Sequence, residues 1–264
     1  MDPMVEWIAA HALRLWVLLL LLALLAGDLA WRHNAHWQRQ VLARGGAPTA
    51  LRWQVGLVLL LALALLFLAI ASAVAGQPPG ELARFDAGLA ESLRAQLPPP
   101  VLRAIAAVTH LGDLWWVAPA AAVVAAILLL RRHGQLAGMW TLALLGIMPI
   151  NGSLKALFQR VRPLHDHGFV TEPGWSFPSG HAFGSIVFYG MLAYVLLRLL
   201  PQRFHRAVIA AAVLLVGMVG ISRILLQVHY FSDVMAGYAI GAAWLVLCIG
   251  AAEHLRKPAA GVQP

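Results

Sequence analysis

Seven long apolar runs dictate what this chain can become. They fall near 8–29, 53–75, 113–131, 135–154, 182–200, 206–224 and 234–253. A helix of about 20 apolar residues crosses the roughly 30 Å hydrocarbon core of a bilayer, and a chain in that core must satisfy its backbone groups internally. Runs of this length are therefore expected to be membrane-spanning helices. With 61% of its 264 residues hydrophobic and 11% charged, the chain is also far more apolar than a soluble domain. The expected fold class is all-α: a polytopic transmembrane helical bundle of about seven spans. The first run has the look of a secretory signal's hydrophobic segment, but Asp2 and Glu6 precede Arg14 and no small-x-small cleavage site follows. It is read as a span.

The formal net charge of +8 does not point to nucleic acid, because the basic residues are mostly arginines in short segments between the apolar runs. Arg32, Arg39, Arg44 and Arg52 separate the first two runs, Arg131 and Arg132 the third and fourth, and Arg203 and Arg206 the fifth and sixth; Arg256 and Lys257 follow the last. By the positive-inside tendency these segments share the cytoplasmic side. The opposite loops then face outward. The single cysteine, Cys248, excludes an intrachain disulfide and a cysteine metal cluster.

The stretch 77–112 is too polar to span. Pro78-Pro79-Gly80 and Pro98-Pro99-Pro100 bracket one helical piece within it, where Leu82, Phe85, Leu89 and Leu93 oppose Glu81, Arg84, Glu91 and Arg94. Two readings stay open, a packed connector and an interfacial helix that admits lipid. Trp115 and Trp116 follow where an aromatic anchor belongs.

Three polar clusters interrupt the apolar second half, and all fall on the outward side: Lys155-(x6)-Arg162-Pro163, Pro178-Ser179-Gly180-His181, and Ser222-Arg223-(x5)-His229-(x3)-Asp233. Lys155 closes the fourth run, and the chain is expected to leave its helix near Arg162 because Pro163 follows. Ser179 is expected to cap the helix of the fifth run, whose free N–H groups and dipole favour an anion. His229 and Asp233 are four residues apart, one helical turn, so the carboxylate could accept a hydrogen bond from the imidazole. Taken alone, each cation is ordinarily a snorkelling interfacial charge and each histidine a structural one. Gathered on one face, they read as a phosphate site.

In order and internal spacing these clusters resemble the signature of the type 2 phosphatidic acid phosphatase superfamily at every motif position. The likeness in span layout reaches back to the run at 53. The resemblance implies a six-span core, so the run at 8–29 is an extra N-terminal helix, with residues 1–52 as that helix and a basic cytoplasmic loop, 53–256 as the core, and 257–264 as a short tail. It implies that His229 attacks phosphorus and becomes phosphohistidine, that Asp233 orients its imidazole, and that His181 protonates the leaving group. Lys155, Arg162, Arg223, the Ser179 hydroxyl and the Gly180 backbone would hold the phosphoryl oxygens. Elementary chemistry fits these roles: a neutral imidazole held by a carboxylate is a competent nucleophile, and three cations offset the charge of a phosphoryl group in transfer. No metal or other cofactor is expected, since no cluster offers several carboxylates.

The activity expected is hydrolysis of a lipid phosphomonoester or pyrophosphate, of the phosphatidic acid, phosphatidylglycerol phosphate or undecaprenyl pyrophosphate class, on the outer face of the cytoplasmic membrane. Its partners are that substrate and membrane lipids, with no nucleic acid. The alternatives are a lipid phosphotransferase with the same site and, from another class, a transporter or anion-binding scaffold. Against the second, the charges sit at span ends rather than at mid-membrane on broken helices. His165, Asp166 and His167 are read as solvated loop residues, Arg160 as a rim charge, and Ser222 either as a support for Arg223 or as a helix-packing hydroxyl.

Overall fold

The computed structural model describes residues 2–46, 49–76, 78–164 and 167–255. Among these, every regular element is helical: α1 (Pro3–Ala10), α2 (Ala12–Ala43), α3 (Trp53–Ala75), α4 (Glu81–Gln96), α5 (Pro99–Thr109), α6 (Leu114–Leu130), α7 (Gly134–Leu145), α8 (Ile147–Phe158), α9 (Gly180–Leu199), α10 (His205–Leu225) and α11 (Phe231–Leu255). Seven helical stretches are long and apolar enough to cross a membrane: α2, α3, α5 with α6, α7 with α8, α9, α10 with the turn before it, and α11. The protein is a multi-pass membrane protein.

The boundaries differ from the sequence reading in two instructive places. α2 runs on to Ala43, so Arg32 and Arg39 lie on a helix rather than in a loop. Asp28 explains part of this extension: it pairs with Arg32 one turn on, and with Arg206 of α10, each at 2.6 Å. The second difference is α5. Pro98-Pro99-Pro100 closes the polar helix α4 as expected, but it also opens α5, with proline in the first turn. There the missing N–H costs nothing, since the first N–H groups of a helix have no internal partner. α5 then passes through a 3-10 turn, His110–Gly112, into α6.

α9 is the axis of the bundle. Phe183, Val187, Phe188 and Met191 on it are fully or almost fully buried, in one core cluster with Trp140 of α7 and Val219 of α10. α11 approaches α9 closely because Gly237 and Gly241 face it. A Cβ at Gly237 would stand 2.6 Å from the Ser179 carbonyl, and one at Gly241 2.4 Å from Ile186. This small-xxx-small spacing lets two helices meet backbone to backbone. A second apolar cluster joins α1, α4, α5 and the C-terminal end of α10 through Val5, Leu89, Leu93, Leu102, Ile105 and Leu225. The polar segment 81–96 is therefore a packed helix, and of its two readings the connector describes its contacts.

Antiparallel succession brings the starts of α6, α9 and α11 and the ends of α8 and α10 to one end of the bundle. All three polar clusters lie there. The cations Arg44, Arg52, Arg131, Arg132, Arg203 and Arg206 lie at segment junctions of the other end. Arg256, Lys257 and the rest of the tail, like His165 and Asp166, fall outside the described residues.

Candidate active site

Each cluster residue is delivered by a helix end. Lys155 occupies the last turn of α8, which stops at Gln159 in the left-handed conformation, φ 45°. The chain leaves its helix just before Arg162, close to where Pro163 led one to expect. Ser179 is the N-cap of α9, with its hydroxyl accepting from Ala182 N at 3.4 Å, and its own N–H donates to the Asp233 carbonyl at 2.9 Å. That bond stitches the start of α9 to the start of α11. Arg223 ends α10, and the chain turns through Gln227, φ 50°, to carry His229 back toward it.

The geometry centres on His229, which is 2% exposed. Its Nε2 lies 3.1 Å from Arg162 Nη1, a nitrogen that can only donate, so the Nε2 lone pair faces the cations and the proton resides on Nδ1. Nδ1 lies 3.5 Å from Asp233 Oδ2 and 3.3 Å from the Ser176 hydroxyl, which donates to that same carboxylate oxygen at 2.5 Å. Asp233 sits in the first turn of α11, whereas His229 precedes that helix. The two therefore do not share a helical turn, and Ser176 stands between them. Burial, then the positive charges of Arg162, Arg223 and Lys155, push the His229 pKa well below the ordinary histidine range. The ring is neutral at physiological pH.

Around it stand the other predicted residues. Arg162 binds the carbonyls of Gly174 at 3.0 Å and Val228 at 2.8 Å. Lys155 donates to the Trp175 carbonyl. Arg223 is fully buried, with one bond to Thr109 Oγ1 at 2.7 Å, an ion pair to Glu172, and its Nε–H without a partner. His181 meets Asp113 through Nε2 at 2.7 Å, and its Nδ1 lies 3.8 Å from Glu172. Lys155, Arg162, Ser179, Gly180, His181, Arg223, His229 and Asp233 are thus brought into one neighbourhood. Ser222 does not support Arg223: its hydroxyl donates to Val219 O of its own helix at 2.6 Å.

Several residues enter that the sequence reading missed or undervalued. Arg160 is no rim charge. Its side chain is 15% exposed, and it bridges Asp233 at 2.7 Å and Asp86 of α4 at 2.8 Å while lying 4.2 Å from the centre of the Tyr230 ring. Burial pulls its pKa down, but Asp233 and Asp86 outweigh that and hold the guanidinium charged. Asp86 also accepts from the Ser232 hydroxyl and the Ser232 N–H. Its signal was present, because Asp86 falls on the same helical stripe as Leu82, Leu89 and Leu93, a carboxylate among buried apolar positions. Ser176 and Glu172 carry no such signal, since a loop has no periodicity to violate. His167 is tied down as well, its Nε2 being 2.8 Å from the Leu226 carbonyl.

As for a metal, Asp113, Glu172 and His181 present ligand atoms within 4.8 Å of one another. Each already has a partner of its own: Glu172 has Arg223, and Asp113 has His181, His110 and the Trp115 indole. Below His181 an apolar cavity of about 490 Å³ runs between α6 and α7–α8, lined by Val117, Ala121, Trp140, Leu144 and Met148 and reaching Gly180 and Gly184.

A family model described as the PAP2 superfamily matches residues 135–256. The phosphatidylglycerophosphatase B of Bacillus subtilis is 32% identical over 154 residues, covering 57% of this chain and 74% of that protein.

This chain belongs to the PAP2 superfamily.

The crystal structure of a transmembrane PAP2 type phosphatidylglycerolphosphate phosphatase from Bacillus subtilis superimposes with a TM-score of 0.70 at 27% identity, covering 75% of this chain and 98% of that one. A lipid A 1-phosphatase of Rhizobium johnstonii is 37% identical over 103 residues, 36% of this chain and 38% of that protein. The PAP2 match begins at α7, so Asp86 and Asp113 lie ahead of the matched residues while all three motifs lie within them.

Proposed function

We propose that the protein is a membrane lipid phosphatase that removes phosphate from a lipid phosphomonoester or pyrophosphate through a phosphohistidine on His229. The observation that carries this reading is a neutral, buried imidazole whose Nε2 lone pair faces the guanidinium of Arg162, 3.1 Å away, on the side where the cations gather. Arg162 holds the place that a phosphoryl group takes between the cations and the nucleophile. His229 Nε2 attacks phosphorus while the bond to the lipid oxygen breaks, and His181 gives that oxygen a proton. Lys155, Arg162, Arg223, the Ser179 hydroxyl and the Gly180 N–H hold the phosphoryl oxygens, with Arg223 Nε–H free to donate to one of them. Water then attacks the phosphohistidine, His181 takes its proton, and inorganic phosphate leaves with His229 restored.

Asp233 acts on the nucleophile by charge more than by a direct bond, with Ser176 relaying between them. The apolar cavity beneath His181 suits an acyl or prenyl chain, and phosphatidic acid, phosphatidylglycerol phosphate and undecaprenyl pyrophosphate all fit this scheme. The distribution of arginines supports a site on the outer face of the cytoplasmic membrane. Proton transfer and cationic stabilisation account for each step, so the reaction is expected to proceed without a metal. The test is release of inorganic phosphate from a panel of these lipids by purified protein, with and without a chelator. Release that survives chelation supports the reading; no release from any member overturns it.

A further inference from the structure

The residue that matters here is Asp113, which lies outside the three motifs and before the family match. An aspartate at the N-cap of a helix ordinarily turns its carboxylate onto the first free N–H groups. Asp113 is the N-cap of α6, yet its side chain makes no capping hydrogen bond. Its Oδ1 takes His181 Nε2 at 2.7 Å, and its Oδ2 takes both His110 Nδ1 and the Trp115 indole N–H, each at 2.7 Å. The carboxylate is held through both of its oxygens, one of which meets a ring nitrogen of His181. The backbone around it is built to the same end. A Cβ at Gly112 would stand 2.8 Å from His181 Cδ2, so glycine lets the imidazole lie against the turn. Tyr189, two helical turns along α9 from His181, ties the turn to α9 by donating to the Leu111 carbonyl at 2.8 Å.

We infer that Asp113 is the positioning residue of the acid–base histidine: it fixes His181 with the proton on Nε2 and turns Nδ1 to the phosphate cradle, so that Nδ1 is the atom that hands over and retrieves the proton. This inference rests on the reading of the chain as a lipid phosphatase. The proton balance follows without a ring flip. Protonated His181 gives its Nδ1 proton to the leaving oxygen and stays neutral with Nε2–H on Asp113. The same Nδ1 then accepts the proton of the attacking water. The free face of Nδ1 already looks onto Glu172, 3.8 Å away, in the space beside Arg223.

The test is leaving-group dependence. General acid help matters for an alkoxide and little for a nitrophenolate, which leaves unaided. Asp113→Asn is expected to lower kcat/KM on a short-chain phosphatidic acid by about 100-fold, with a far smaller loss on p-nitrophenyl phosphate. Because kcat/KM stops at phosphoryl-enzyme formation, the shared hydrolysis of phosphohistidine does not blur the contrast. In a His181→Gln background the same substitution is expected to add nothing. Equal losses on the two substrates, no loss on either, or losses that multiply with His181→Gln would overturn the inference while leaving the phosphatase reading intact. Wild-type protein that releases phosphate from neither substrate would remove both. Should Asp113→Asn fail to fold, His110→Gln with Trp115→Phe, which frees the outer oxygen of the carboxylate, is read by the same ratio; an unchanged ratio there counts against the inference.

Discussion

Two histidines face one cradle of cations, and the fold anchors them by opposite means. His229 is held from behind by a charged network that reaches α4: Ser176 and Asp233 beside its Nδ1, Arg160 across Asp233, and Asp86 of α4 beyond. That network is buried, and its carboxylates are fully enclosed. His181 is held by one carboxylate at the mouth, Asp113, which is 20% exposed and braced by an exposed histidine and an indole. The role proposed for His229 needs a neutral, fixed ring, and deep burial among cations provides both. The role proposed for His181 needs one ring nitrogen held and the other open to the cradle, and a single carboxylate on Nε2 provides that. The two rings thus differ in depth, with His229 2% and His181 14% exposed at the side chain.

The largest loss is expected at His229. His229→Ala is expected to lower phosphate release from every lipid by at least about 10⁴-fold, whereas His181→Ala should cost less and depend on the leaving group; comparable losses that are independent of the leaving group would erase the distinction between the two rings. Next in size is the inner network. Arg160→Ala or Asp86→Ala strips one partner from a buried ion pair and is expected to cost about 3–5 kcal/mol, read by thermal unfolding in detergent. The double variant should lose less than the two single losses combined.

A subtler test uses pH. Burial and neighbouring cations hold the His229 pKa well below the usual histidine value, so the protonated, inactive form appears only at unusually low pH. Arg162→Gln removes the largest of the cationic contributions and is expected to move the acid limb of kcat/KM to higher pH, apart from lowering its plateau. The substrate titrates alike in both proteins, so the displacement belongs to the enzyme. The same lowered pKa makes the unfolded chain bind more protons than the native one below about pH 6.5. Stability therefore rises with pH toward that value, and the contribution from a neutral His229 is lost as pH falls below it. At the small end, Ser222→Ala, which removes only a bond to the helix's own backbone, is expected to change stability by less than about 0.5 kcal/mol and phosphate release negligibly.

Much of this was legible without coordinates. The apolar runs matched the seven spanning stretches to within a few residues at most ends, because a bilayer imposes a length on any helix that crosses it. Arg162-Pro163 and Pro178-Ser179 announced a helix exit and a helix start through proline's and serine's own backbone preferences. The extension of α2 to Ala43 was harder to see. Its last turns are polar and are held by Asp28 and by packing on α10, and hydropathy does not register either. α5 was hidden for a related reason: three consecutive prolines mark both where a helix stops and where the next begins.

The three motifs, from Lys155 to Asp233, hold most of the site, yet the carboxylates Asp86 and Asp113 reach it from well outside them. Sequence alone determined that this is a helical membrane protein and that eight motif residues gather at one end of it, since period, length and local backbone chemistry are properties of neighbours along the chain. Which groups orient those eight was decided only by the tertiary structure. Asp86 and Asp113 are 74 and 68 positions away from their partners Arg160 and His181, and no local rule links them. They meet the site because Gly237 and Gly241 let α11 close on α9, and because α4 and α6 start or pass beside that junction. An ion pair across such a distance is a consequence of packing, and it becomes visible only when the packing is.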